Sequence, residues 1–96
     1  MMSITIDGIE FADSEYDGRG DVLYLSVTGY DAGGLPPHGY GSPEGHGIEF
    51  DEERNAIQMT LVNVKWLIDR DGELRITWPD GHVTHDAPSV VLAAAA

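Results

Sequence analysis

Four histidines, His38, His46, His82 and His85, stand among seventeen Asp and Glu in this 96-residue chain. Neutral imidazole with carboxylate is the usual donor set for divalent transition metals, so the first chemistry to weigh is metal binding. Spacing narrows the choice. His82 and His85 fall an odd number of positions apart, which puts them on opposite faces of an extended strand, and His46 with Glu49 meets the same objection. Glu44 with His46 is the best remaining pair. Asp69 to Glu73 superficially resembles a calcium loop, but the twelve-residue ligand spacing and its distal Glu are missing, so it reads as a hairpin turn. None of Ser3, Ser14, Ser26, Ser42 and Ser89 sits in a Gly-x-Ser-x-Gly elbow. The chain has no Cys, which excludes thiolate nucleophiles, thiolate metal sites and disulfides. Gly39, Gly41, Gly45 and Gly47 are interrupted by Pro43 and lead into a strand, not a helix N-terminus, so they form no phosphate cradle. No catalytic or cofactor-binding residue is assigned from these patterns, and no cofactor is expected.

The elements that must position these side chains are mostly strands. Period-two patterning dominates, and turn chemistry built on Asp, Asn or Gly follows each strand-like run. Residues 3–6 and 9–11 flank Asp7-Gly8, the dipeptide suited to a two-residue hairpin because both positions tolerate positive φ. After Glu15-Tyr16 and the turn at 17–20, residues 22–27 are rich in β-formers. Residues 29–47 hold seven Gly and three Pro. That composition sustains neither helix nor central strand, so this reads as a long loop and the most mobile internal stretch. Alternation resumes at 48–50 and, past a polar turn, at 57–61. Val64, Trp66 and Ile68 then alternate with Lys65, Leu67 and Asp69 as a further strand, followed by 74–78 and, after Pro79-Asp80-Gly81, 82–84. Residues 86–96 open with an Asp and a Pro suited to start a short helical turn. The fold class is therefore mainly β (β or α+β): one domain, an antiparallel meander of about six or seven short strands with a C-terminal helical turn.

Such a meander is short of covering elements. Trp66 and Trp78 fall on apolar faces of two adjacent predicted strands, where large aromatics fill a core or a subunit interface. Both are interface candidates. A sheet carrying Trp66, Ile68, Leu74, Ile76 and Trp78 needs a second layer, which either the first hairpin folding over it as a monomeric barrel or sandwich or a second copy of the chain supplies; of the two, a homodimer is expected.

The net charge of −12, with only Arg19, Arg54, Lys65, Arg70 and Arg75 as cations, argues against nucleic acid as partner, because phosphate neutralisation drives that binding. Anionic membrane surfaces are disfavoured for the same reason, whereas a basic protein is attracted. The N-terminal residues lack the basic region and apolar stretch of a signal peptide, so a cytoplasmic location is expected.

Tyr16-Asp17, Asp21-Val22-Leu23-Tyr24-Leu25, then Pro43-Glu44-Gly45-His46-Gly47, Asp51 and residues 57–64 together resemble the domain-of-unknown-function 2283 family of small bacterial proteins. The likeness covers roughly residues 16–76. It implies no activity. Some members of that family look like partners of neighbouring small toxin-like proteins, which implies an antitoxin-like or other binding role. The expected function is a non-enzymatic protein-interaction module. The alternative is a small metal- or ligand-binding enzyme using the loop around Glu44 and His46.

Overall fold

The computed structural model describes residues 4–27 and 37–86. It is mainly β: nine strands and one short helix are arranged as a five-stranded antiparallel sheet, two separate hairpins and the helix. The first hairpin pairs β1 (Ile4–Ile6) with β2 (Ile9–Phe11). Asp7 and Gly8 both take positive φ, 53° and 78°, as the expected two-residue turn requires. The large sheet contains β3 (Asp13–Asp17), β4 (Val22–Ser26), β5 (His38–Gly41), β6 (Gly47–Phe50) and β7 (Ala56–Val62), in the order β3-β4-β7-β6-β5. Helix α1 (Val64–Asp71) follows, and β8 (Leu74–Thr77) pairs with β9 (Val83–Asp86) in the second hairpin.

Three expectations are corrected. The large sheet is not a simple meander, because β7 and not β5 lies beside β4. The centre goes to the strands with the most apolar side chains to pair, Leu23 against Leu61 and Leu25 against Met59. Gly39 and Gly41 confine β5 to an edge, where a strand with few side chains loses least packing. Residues 38–41 are thus a strand inside the expected loop. The rest of that loop before Pro37, and the helical turn after Asp86, lie outside the described residues.

The third correction concerns residues 64–69, which form helix and not strand. Val64, Leu67 and Ile68 are its buried residues, an i, i+3, i+4 stripe, while Trp66 points away and is 57% exposed. Asn63, at φ 52°, swings the chain out of β7, and Gly72, at φ 76°, ends the helix with its N–H on the Ile68 carbonyl. Together with β8 and the first hairpin, α1 covers the inner face of the sheet. Ile68, Leu74, Ile76 and Trp78 are buried with Ile6, Phe11, Leu23, Met59 and Leu61 in one core cluster. The apolar surface on which the homodimer expectation rested is therefore internal to the single chain, apart from Trp66.

Eight residues are too few for a stable helix on propensity alone, and Asn63 provides no side-chain cap. The cap comes from Asp21, in the turn between β3 and β4. Its carbonyl accepts the Val64 N–H at 3.1 Å, Oδ1 the Lys65 N–H at 2.9 Å and Oδ2 the Trp66 N–H at 3.1 Å; the Leu67 N–H goes to the Asn63 carbonyl at 2.8 Å. The three N–H groups of Val64, Lys65 and Trp66, which have no partner within the helix, are thus satisfied by Asp21. Tyr16 Oη adds a hydrogen bond to Asp21 Oδ1 at 2.7 Å, which pushes the phenol pKa up to about 12. Partial burial alone would raise the Asp21 carboxyl, but the donors around it outweigh that and hold it below the usual range. Asp21 itself sits at φ 55°, a conformation Asp and Asn tolerate better than other side chains. Asp21→Ala is expected to lower stability by about 2–3 kcal/mol in urea denaturation, combining a lost cap with left-handed strain. Asp21→Asn should cost clearly less; equal losses for the two would show that the acceptor oxygens are not what matters.

Candidate functional site

The Glu44/His46 pair lies in the turn between β5 and β6. Ser42 shapes that turn: its N–H bonds the His46 carbonyl at 2.8 Å, its carbonyl accepts the Gly45 N–H at 2.9 Å, and its Oγ accepts the His46 N–H at 3.0 Å. Gly45 is required there, because φ is +98° and an added Cβ would stand 3.2 Å from a Val62 methyl. The turn carries His46 inward until only 1% of it is exposed.

Both ring nitrogens of His46 are then engaged. Nδ1 accepts the Val62 N–H at 3.1 Å, and Nε2 lies 3.1 Å from the Arg75 carbonyl, an acceptor, so Nε2 carries the proton. The geometry selects one neutral tautomer. A proton on Nδ1 would face the Val62 N–H. Burial pushes the imidazole pKa down, with the Arg75 carbonyl and the Glu44 charge opposing it. Glu44 is committed in the same way: Oε1 accepts the Thr77 N–H at 3.0 Å and Oε2 accepts Thr77 Oγ1–H at 2.6 Å. Desolvation works to raise this carboxyl, but hydrogen bonds from Thr77 and Ser42 prevail and lower it. The two residues are brought together, yet as a clamp holding β8 against the end of β7 and the β5–β6 turn. His46 presents no donor toward solvent, and Glu44, half-buried at the edge of a groove, already has both carboxylate oxygens accepting from Thr77. Among the described residues no three His, Asp or Glu side chains converge as a metal site.

The other histidines are dispersed. His38 lies in edge strand β5, His85 bonds Glu73 across the second hairpin, and His82 lies in the β8–β9 turn between Asp7 and Asp80. The two interface candidates also part company. Trp78 is 4% exposed, with its indole N–H donated to Thr84 Oγ1 at 2.6 Å, and belongs to the core. Trp66 stands on the outer side of α1, and the Arg70 guanidinium lies 4.8 Å from its ring centre. Asp71 holds Arg70 through two oxygens at 2.9 and 2.8 Å and reaches Arg75 at 3.2 Å. These pairs pull the Asp71 carboxyl down to about 2. A groove of about 420 Å³ runs beside them, lined by Pro43, Trp66, Leu67, Arg70, Asp71 and Arg75 among others. On the far side of the molecule the outer sheet face carries Asp13, Glu15 and Asp17 along edge strand β3, with Tyr24, 46% exposed, opposite Glu15. Neither surface was assembled by sequence reasoning. The signal available for the first was Leu67, the apolar residue that strand alternation placed on the wrong face.

Compared with protein-family models, curated proteins and solved structures, the chain matches none. The likeness to the domain-of-unknown-function 2283 family accordingly rests on the residues quoted for it. In the structure those residues have structural work: Asp21 and Tyr16 cap α1, and Glu44, Gly45 and His46 clamp β8.

The buried imidazole sets the sign of one pH dependence. His46 must be neutral in the fold, so the unfolded chain binds the extra proton below about 6.5, and stability falls with pH by up to about 1.4 kcal/mol per unit. His82 has the opposite shift, with its pKa raised by Asp7 and Asp80, so its contribution is already complete below 6.5 and adds no slope there. Glu44 and Asp21, both lowered, lose their contributions only at still more acid pH. Urea midpoints measured from pH 6.5 to 5 should therefore decline, and His46→Gln should flatten the decline while lowering stability throughout. A flat wild-type profile would show that the ring accepts a proton in the fold. Calorimetric titration with zinc is expected to give the same heats for the wild type, His46→Gln and Glu44→Gln; a saturable signal lost in both variants would mean that these donors are free after all.

Proposed function

We propose that this chain is a non-enzymatic protein-interaction module, and that the face around Trp66 is where it meets a second copy of itself. The observation that carries the reading is the position of Trp66. It is the most exposed large apolar side chain among the described residues, and Arg70 spread over its ring orders it before any partner arrives. Trp and Arg are the residue types that concentrate binding energy at interfaces, and a pre-ordered aromatic loses little entropy on contact.

Charge favours the same place. Two copies at −12 repel over most of their surfaces, but three of the five cations, Lys65, Arg70 and Arg75, stand on α1 and β8. Asp69, Asp71 and Glu73 are interspersed with them, so the region is mixed in sign and self-complementary. Long-range repulsion is screened beyond about 10 Å at 0.1 M salt, which leaves the contact favoured at physiological salt and weakened below it. The acidic outer face around β3 and Tyr24 stays open in such a dimer for a basic protein partner, the kind of binding an antitoxin-like role involves. The module acts in the cytoplasm without cofactor. No helix among the described residues is long and apolar enough to cross a membrane.

The alternative of a metal- or ligand-binding enzyme has less to stand on, because Glu44 and His46 spend their polar atoms on Thr77, Val62 and Arg75. Sedimentation equilibrium at micromolar concentrations tests the preferred reading. The wild type should approach the dimer mass. Trp66→Ala, with an unchanged circular dichroism spectrum, should dissociate about 30-fold more readily, the effect of losing a hot-spot residue. A monomeric wild type at every concentration would refute self-association through this face.

A further inference from the structure

Among the described residues, His82 is the one side chain whose two ring nitrogens both face carboxylates, one from its own turn and one from the first hairpin. Nε2 lies 2.8 Å from Asp7 Oδ2, in the turn of the first hairpin, and Nδ1 contacts Asp80 Oδ1 within its own turn. The ring stacks on buried Trp78, with centroids 5.6 Å apart and planes within 4°. An open groove of about 490 Å³ runs between the turn of the first hairpin and the β6–β7 turn, lined by Asp7, Gly8, Ile9, Phe50, Arg54 and Trp78 among others. We propose that His82 is a proton-operated latch that ties the turns of the two hairpins together over Trp78.

The chemistry follows from counting donors. An imidazolium has two N–H groups and satisfies both carboxylates at once; a neutral ring has one, and its remaining lone pair repels whichever carboxylate it faces. One bond must go. Asp80 is retained, because it is two residues away and also accepts the His82 backbone N–H at 3.0 Å, a local turn that closes at little entropic cost. The bond to Asp7 spans seventy-five positions and is the one released. The charged groups facing the ring are Asp7 from the first hairpin and Asp80 from its own turn, both favouring the proton, while desolvation of the ring opposes it; Arg54 shares a second groove with His82 beside Trp78. The carboxylates prevail, so the latch is closed below neutrality and opens as pH rises through the elevated histidine pKa. Apolar burial of Ile4, Ile6 and Phe11 keeps the first hairpin on the core in either state, which confines the opening to the turn.

Amide exchange followed by NMR at pH 6 and pH 9, corrected for intrinsic exchange rates, reads the latch. Protection at the turn, residues 6–9, should fall about twofold to fivefold at the higher pH, as expected for loss of one exposed ion pair, and the Trp78 indole signal should shift with a midpoint above 6.5. His82→Gln should abolish both changes. Asp7→Asn should abolish the loss of protection while keeping the hairpin folded, since Asn-Gly suits this turn as well as Asp-Gly. Equal protection at both pH values in the wild type, or a loss of protection at the higher pH that persists in either variant, would overturn the proposal.

Discussion

A helix of eight residues cannot hold itself together in water, and the fold depends on how that deficit is met. Asp21 meets it from outside, with one carbonyl and two carboxylate oxygens on the first three N–H groups of α1. Because Asp21 belongs to the turn between β3 and β4, the cap also fixes where α1 sits relative to the large sheet. Val64, Leu67 and Ile68 are then delivered to the core, and β8 follows the helix onto the inner face. Without the cap, the segment after β7 would retain its strand-like alternation and lose its preferred alternative.

The second junction uses the same economy. His46 and Glu44, the residues whose types most suggested chemistry, are consumed by the backbone of β7 and β8. A buried polar group is costly unless satisfied, and a satisfied one specifies a single arrangement because any displacement leaves orphans on both sides. The neutral imidazole, with one donor and one acceptor on a rigid ring, fits a site flanked by one N–H and one carbonyl. A metal ligand in that position would have to give up at least one of them. Capping and clamping thus account for the polar residues that stand out in the sequence, and the apolar core fills the space they enclose.

What is left for function is on the surface, and it is sorted by sign. Acidic side chains are spread along the chain, but cations gather on α1 and β8 beside Trp66, and the outer sheet face around β3 is acidic with an exposed Tyr24. A chain at −12 approaches a like-charged copy most readily where its own charges are mixed, and a basic partner most readily where they are not. The two surfaces lie on different layers of the fold, so their uses do not compete.

The sequence by itself determined the local features. Alternation placed the first hairpin, β4, β6, β7 and β8; Asp7-Gly8 specified its turn; and Asp17 and Asp51 accept backbone N–H groups two residues on, as turn residues of that type do. Only the tertiary structure decided residues 64–71. Val64, Trp66 and Ile68 fit a strand and Val64, Leu67 and Ile68 fit a helix, and eight residues give too few repeats to separate the periods. The deciding contact came from Asp21, more than forty positions earlier. Sheet order was equally invisible, because β4 and β7 are joined by cross-strand pairing of Leu23 with Leu61 and Leu25 with Met59, not by proximity in the chain. The same holds for the site. Glu44 and His46 are two positions apart in sequence, but whether their polar atoms face solvent or backbone depends on Val62, Arg75 and Thr77, which reach them only once the sheet, the helix and β8 are assembled.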